Sequence, residues 1–219
     1  MTEVAPAILT NDLSDFRHKY AELFALGQHF KTLHIDFIDG QFLPNKTVLP
    51  ADLQFLKNSP FILTAHLMVK NPKQYFEAAK DSGFECVLFH YEAFTTPAEI
   101  EETIQQAKGL ALKPGLAINP ETPVSVLSSL VSQVGLIQLM SVHPGSQGQE
   151  FIPEVLEKVR QLRLLSKSVI ISVDGGIKIG NAHKLVEAGA DILVAGSAIL
   201  KSQDEEGAIE ALRHELETK

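Results

Sequence analysis

Cysteine is almost absent from this chain. The single residue, Cys86, can form no intrachain disulfide and cannot build a cysteine-based zinc site, which fits a reducing compartment. Set in the apolar run CVLFHY, it reads as a small buried hydrophobe. Basic residues are also in deficit: 19 Lys and Arg against 27 Asp and Glu leave a formal charge of −8. Nucleic-acid and anionic-membrane surfaces need clustered Lys and Arg, so neither partner is expected, and a bound phosphate would have to be held locally by a few backbone groups. No basic segment precedes an apolar stretch at the start, and no uninterrupted apolar run approaches ~18 residues. The sequence therefore supports neither a signal peptide nor a membrane span, and a cytoplasmic protein is expected. There is no Pro/Gly/Ser-rich linker, low-complexity segment or block of like charge to divide the chain.

What is present is an alternation. The runs APAIL (5–9), TLHIDFI (32–38), ILTAHLMV (62–69), CVLFHY (86–91), GLAIN (115–119), LIQLMSV (136–142), VIISVD (169–174) and DILVAG (191–196) read as strands. Helical stretches follow them near 14–26, 50–57, 72–82, 97–108, 123–131, 152–165, 180–188 and 204–217. The period is clearest in EVLEKVRQLRLL (154–165), where Val155, Leu156, Val159, Leu162 and Leu165 share one face. Asn71-Pro72, Thr96-Pro97 and Thr122-Pro123 each place a capping residue before a proline suited to a first helical turn. Eight such strand–helix units predict an α/β fold, a single (β/α)8 TIM barrel over residues 1–219, with an open doubly wound sheet as the alternative.

In a parallel barrel, chemistry sits at the C-terminal ends of the strands. Four polar residues stand near such ends: His34 and Asp36 on the second strand, His66 on the third and Asp174 closing the seventh. His34 and Asp36 are two apart, so both project to one side of the sheet. Singly, a strand histidine can be a satisfied core residue and a strand-end aspartate a helix cap. Together, four ionisable groups in an apolar barrel cost several kcal/mol unless they are paired or bind a metal. Two imidazoles and two carboxylates suit a divalent ion such as zinc, iron, manganese or cobalt.

A second constellation is glycine-rich. HPGSQGQEF (143–151), DGGIKIGN (174–181) and AGSAIL (195–200) follow the sixth, seventh and eighth strands. Glycines let backbone N–H groups approach an anion, and these loops are where many barrels hold phosphate. Tight strand-to-helix turns use glycine anyway, so the weight lies in three such loops being adjacent.

The stretches APAIL, HIDFIDGQFLPN, AHLMV, GLAINPETP, LMSVHPG with GQEFIP, VDGGI and AGADILVAGSAI, in this order and spacing, resemble the ribulose-phosphate 3-epimerase family over almost the whole chain. The resemblance implies metal ligands at His34, Asp36, His66 and Asp174, and acid/base roles for Asp36 and Asp174 on strands in opposite parts of the mouth. It also implies phosphate and substrate contacts from Thr10, His66, Met68, Met140, Gly145, Gly148, Gly175, Gly176, Gly196 and Ser197. The expected reaction is inversion of C3 in a ketose phosphate, most simply D-ribulose 5-phosphate to D-xylulose 5-phosphate. Two carboxylates would act on opposite faces of the carbon and a divalent metal would stabilise the enediolate. The expected partners are a small ketose phosphate and further copies of the chain. Asp39 is expected to shape its loop.

Departures from the family pattern bear on substrate more than on reaction type. Ile38 replaces a methionine, Thr10 a serine, and HPGSQGQ stands for NPGFGGQ, which introduces His143, Ser146 and Gln147. The loop after the fourth strand reads HYEA where HPEA or HIEA is more familiar. Two alternatives follow: a 3-epimerase of another ketose phosphate such as allulose 6-phosphate, and a non-catalytic phosphate-binding barrel. A decarboxylase of the orotidine-phosphate group would want an acidic–Lys–acidic pattern on the second strand, where this chain has His34-Ile35-Asp36.

Overall fold

A computed structural model describes residues 2–217. Its strands are β1 (Glu3–Ile8), β2 (Thr32–Ile38), β3 (Ile62–Met68), β4 (Cys86–His90), β5 (Lys113–Ile118), β6 (Leu136–Met140), β7 (Ile170–Asp174) and β8 (Ile192–Ala195). Each pairs in parallel with the next, and β1 pairs with β8, so the sheet closes. Closure excludes the open sheet. All eight strands fall on the apolar runs of the sequence, with ends shifted by one or two residues.

The connections are less regular than the sequence suggests. The α-helices are α1 (Leu13–Ala25), α2 (Phe76–Asp81), α3 (Pro97–Gly109), α4 (Val155–Leu165), α5 (Ala182–Ala188), α6 (Ser197–Leu200) and α7 (Glu205–Glu217). The stretches expected to be helical near 50–57 and 123–131 form only 3₁₀ turns, Pro50–Leu56 and Val124–Leu127. The first is broken at Leu53, whose φ of −110° and ψ of 22° are not helical. The second, VSVLSSLV, has three valines and three serines among its eight residues, both poor helix formers. Of the three expected caps only Thr96 acts as one: it accepts from Glu99 N–H while Glu99 accepts from Thr96 N–H. Asn71 makes no capping bond, and the Thr122 hydroxyl is turned away to Glu92.

Strand alternation sorts side chains into two environments. Leu33, Ile35 and Phe37 of β2, Leu63, Ala65 and Leu67 of β3, and Ile171 and Val173 of β7 join one large core between barrel and helices. The alternate positions point into the barrel. There the small residues Ala5, Ala7 and Val194 form a separate cluster, and His34, Asp36, Thr64, His66, His90, Gln138 and Ser172 are buried. Burial on both faces explains why these strands read as near-continuous apolar runs, and why the inward positions alone carry polar groups. Cys86 is buried, and burial pushes its thiol up to about 12, which leaves it unreactive. Among the described residues no helix is long and apolar enough to cross a membrane.

Candidate active site at the barrel mouth

Strand register brings the four sequence-predicted side chains together. In β2 and β3, Asp36 lies beside His66, and in β6 and β7, Met140 lies beside Asp174. His66 Nδ1 stands 2.8 Å from Asp36 Oδ1 and 3.5 Å from Asp174 Oδ2. His34 Nε2 stands 3.3 Å and 3.6 Å from the same two oxygens. Donor atoms held about 2.0–2.2 Å from one ion at ~90–109° to each other would be ~2.8–3.6 Å apart, so the spacing fits a divalent metal. The donor set, two imidazole nitrogens and two carboxylate oxygens within 4.8 Å of one another, is one that could hold such an ion. One oxygen of Asp36 and one of Asp174 thus lie within 4.8 Å of each other although β2 and β7 are not neighbours in the sheet.

The two carboxylates have opposite protonation tendencies. Burial works against ionising Asp36, but hydrogen bonds with His34 and His66 outweigh it and hold the carboxyl well below the usual range. Burial, reinforced by the negative charge of Asp36, pushes Asp174 above that range, and His34 only partly offsets this. The histidines divide too. Burial lowers His66 to about 4 despite Asp36, whereas for His34 burial is outweighed by the bond to Asp36 and the charge of Asp36 together, with a smaller contribution from Asp174, and the pKa rises above its ordinary value. Among charge-neutral partners, Gln138 on β6 donates to Asp174 Oδ2 at 3.0 Å. Sequence reasoning missed Gln138, although its signal in LIQLM was that of His34: a polar residue at an inward position of an apolar strand.

One cavity joins this cluster to the glycine loops. Its wall contains Asp36, His66, Met68, Met140 and Asp174, and equally Gly145, Gly148, Gly175, Gly176, Gly196 and Ser197. His34 is buried and is not part of the wall. Thr10 is not part of the wall; its hydroxyl accepts from Asp12 N–H at 3.3 Å in the loop after β1. Gly176 needs its residue type: its φ is +63°, and a Cβ would lie 2.8 Å from the backbone of Phe151. At Gly196 the obstacle is a side chain, since a Cβ would meet Gln147 Nε2 at 2.4 Å. Gln147 lies in the cavity and donates to Ala7 O at 3.3 Å. Lys201, which sequence reasoning passed over, places Nζ 3.7 Å from where a Cβ on Gly148 would stand.

The surrounding loops are tied down by polar side chains. Asp39 accepts from Gln41 N–H and from the Tyr75 hydroxyl and so shapes the loop after β2. Asn45 of that loop donates to Gly145 O at 2.7 Å, linking it to the loop after β6. His143 pairs at the rim with Glu121 and is not part of the cavity wall.

The sequence profile described as the Ribulose-phosphate 3 epimerase family matches residues 3–200. Ribulose-phosphate 3-epimerase of Escherichia coli K12 is 36% identical, with 97% of this chain and 95% of that protein aligned. The enzymes of the same name from Schizosaccharomyces pombe and Bacillus subtilis are 33% and 34% identical, covering 98% and 97% of this chain and 93% and 99% of theirs. Among solved structures, 3-hexulose-6-phosphate synthase from Salmonella typhimurium superposes with a TM-score of 0.70 at 15% identity, with 98% of each chain covered. Orotidine 5'-phosphate decarboxylase from Pyrococcus horikoshii gives 0.70 at 14%, covering 99% of this chain and 100% of that one. At such identities the structural likeness speaks for the barrel alone.

Proposed function

Because the chain belongs to the ribulose-phosphate 3-epimerase family, we propose that it interconverts D-ribulose 5-phosphate and D-xylulose 5-phosphate by inverting C3, the whole of residues 1–219 serving as one barrel domain. The observation that carries this reading is a pair of carboxylates with opposed protonation tendencies, Asp36 and Asp174, in a cavity that also reaches three glycine loops. Inversion beside a carbonyl needs a base on one face of the carbon and an acid on the other. Asp36 favours the ionised form and Asp174 the protonated form. The convergent set uses Asp36 Oδ1 and Asp174 Oδ2, so Asp36 Oδ2 and Asp174 Oδ1 are the atoms assigned to proton transfer. After one turnover their protonation states are exchanged, and proton exchange of both carboxyl groups with solvent restores them for the next.

His34, Asp36, His66 and Asp174 would hold a divalent ion. Such an ion supplies Lewis-acid stabilisation of negative charge developing on the substrate's oxygens. Met68 and Met140, both buried in the cavity wall, exclude water from the reacting carbon with soft apolar surface. Metal-loaded protein assayed against ribulose 5-phosphate, xylulose 5-phosphate and allulose 6-phosphate tests the proposal. Preferred turnover of the pentulose pair is expected; preference for the hexulose would change the substrate, and turnover of none would reject the reaction.

The phosphate is assigned to backbone N–H groups around Gly176, Gly196 and Ser197. Gly196→Asp is the discriminating variant, because the only close obstacle is the movable end of Gln147 and its φ of −94° suits any residue. A carboxylate facing phosphate costs several kcal/mol, so KM should rise at least tenfold with kcat changed much less. Lys178→Ala should leave KM within about twofold, since Lys178 is absent from the cavity wall. Steady-state kinetics on both variants checks this; an equal rise in KM for Lys178→Ala would contradict backbone recognition.

A further inference from the structure

A buried polar chain runs outward from His66, away from the proposed ion. His66 Nε2 lies 2.9 Å from His90 Nε2, and the two ring planes are within 21° of each other with centroids 5.0 Å apart. His90 Nδ1 lies 3.3 Å from Glu92 Oε2. The other oxygen, Glu92 Oε1, accepts from Asn119 N–H at 2.8 Å and from the Thr122 hydroxyl. Both histidines are fully buried.

We propose that His90 and Glu92 act as positioning residues that set the tautomer of His66, so that its Nδ1 presents a lone pair to the metal. The direction of the chain follows from its outer end. Burial opposes ionisation of Glu92, but donation from His90, the Thr122 hydroxyl and Asn119 N–H holds it below the usual carboxyl range, as an acceptor. His90 must then place its one proton on Nδ1 to meet that carboxylate, which leaves Nε2 bare. A bare His90 Nε2 can only accept, so His66 carries its proton on Nε2. His66 Nδ1 is thereby unprotonated, 2.8 Å from Asp36 Oδ1, and two acceptors so close are favourable when a cation lies between them. The opposite direction, in which His66 Nδ1–H donates to Asp36 Oδ1, sets a bare His90 Nδ1 against the Glu92 carboxylate and leaves Nδ1 of His66 no lone pair for an ion, so it is incompatible with the metal-bound site. Thr122, expected as a helix cap, finds its role here instead.

This inference rests on the four-residue cluster being a metal site, and the experiment separates the two. Zinc affinity of the full chain is measured by chelator competition, and the protonated nitrogen of His66 is read from ¹⁵N shifts of the zinc-loaded protein. Wild type should bind one zinc and carry the His66 proton on Nε2. His90→Leu and Glu92→Leu should raise the zinc Kd about 10–100-fold, the usual cost of losing a partner behind a ligand. His90→Gln, whose amide offers an acceptor to His66 and a donor to Glu92, should recover most of the loss. Unchanged zinc binding in folded His90→Leu, or His90→Gln as weak as His90→Leu, would overturn the positioning role and leave the metal site standing. If the leucine variants fail to fold, the wild-type ¹⁵N spectrum decides alone: a proton on His66 Nδ1 would refute the proposal. Failure of wild type to bind zinc, cobalt, manganese or iron would instead remove the metal site, and the relay with it.

Discussion

Asp36→Asn and Asp174→Asn should each lower kcat by at least 10²–10⁴-fold, the range of general acid–base catalysis alone. The loss should exceed that range where the metal is weakened too, because each residue also gives one oxygen to the convergent set. Both changes preserve volume, the first can keep a hydrogen bond to His34 and the second the bond from Gln138, so lost turnover in folded, metal-loaded protein would report chemistry and not collapse of the site. The two variants should differ in kind. Each carboxylate serves one face of C3, so each variant should still exchange the C3 proton of one epimer with solvent and fail with the other. The check is proton exchange of both epimers followed by NMR, after elemental analysis has established that metal is retained. If both metal-loaded variants exchanged both epimers at wild-type rates, neither carboxylate could be an essential base.

Removing the metal should abolish activity, and adding a divalent ion back should restore it. Without a cation, negative charge developing on substrate oxygens would be left without a counter-charge in the cavity walled by Asp36 and Asp174, at a cost of several kcal/mol. The pH dependence of affinity follows from the ligands' own protons. His34 holds its proton above its ordinary 6.5 because Asp36 bonds to it, so proton competition sets in around neutrality and affinity falls as pH falls. His66, lowered to about 4, is already neutral over that range and contributes little to the slope. The metal-free fold has the opposite sign: protonated His34 stabilises it below 6.5, and that contribution fades as pH rises through the raised value. Zinc titrations between pH 5.5 and 8 test this, and full activity in chelator-treated protein shown to contain no metal would contradict it.

Much of this site could be read from the sequence because a buried parallel strand leaves few reasons for an ionisable residue. His34, Asp36, His66 and Asp174 sit at inward positions where the neighbouring strands carry Ala5, Ala7 and Val194, and that contrast is visible in the letters. The glycine loops were legible for a similar reason: Gly176 needs both its positive φ and the missing Cβ. What escaped depends on contacts between distant segments. Glu92 joins β4 to the loop after β5 through Asn119 and Thr122, a relation of about 30 residues that no local pattern announces. Lys201 reaches Gly148 only because β6 and β8 both flank β7 in the closed sheet. Thr10 illustrates the converse. The family resemblance implies a substrate contact there, while in the structure its hydroxyl accepts from Asp12 N–H, where the chain turns into α1.

The most direct measurement is conversion of D-ribulose 5-phosphate in deuterated water, with the product's C3 position examined by NMR and mass spectrometry. With Asp36 removing a proton from one face and Asp174 delivering another to the opposite face, the proton delivered comes from solvent. Xylulose 5-phosphate should therefore carry deuterium at C3 from the first turnovers. Product that retains the original C3 hydrogen, or no product from metal-loaded protein, would contradict a two-carboxylate epimerisation at this site.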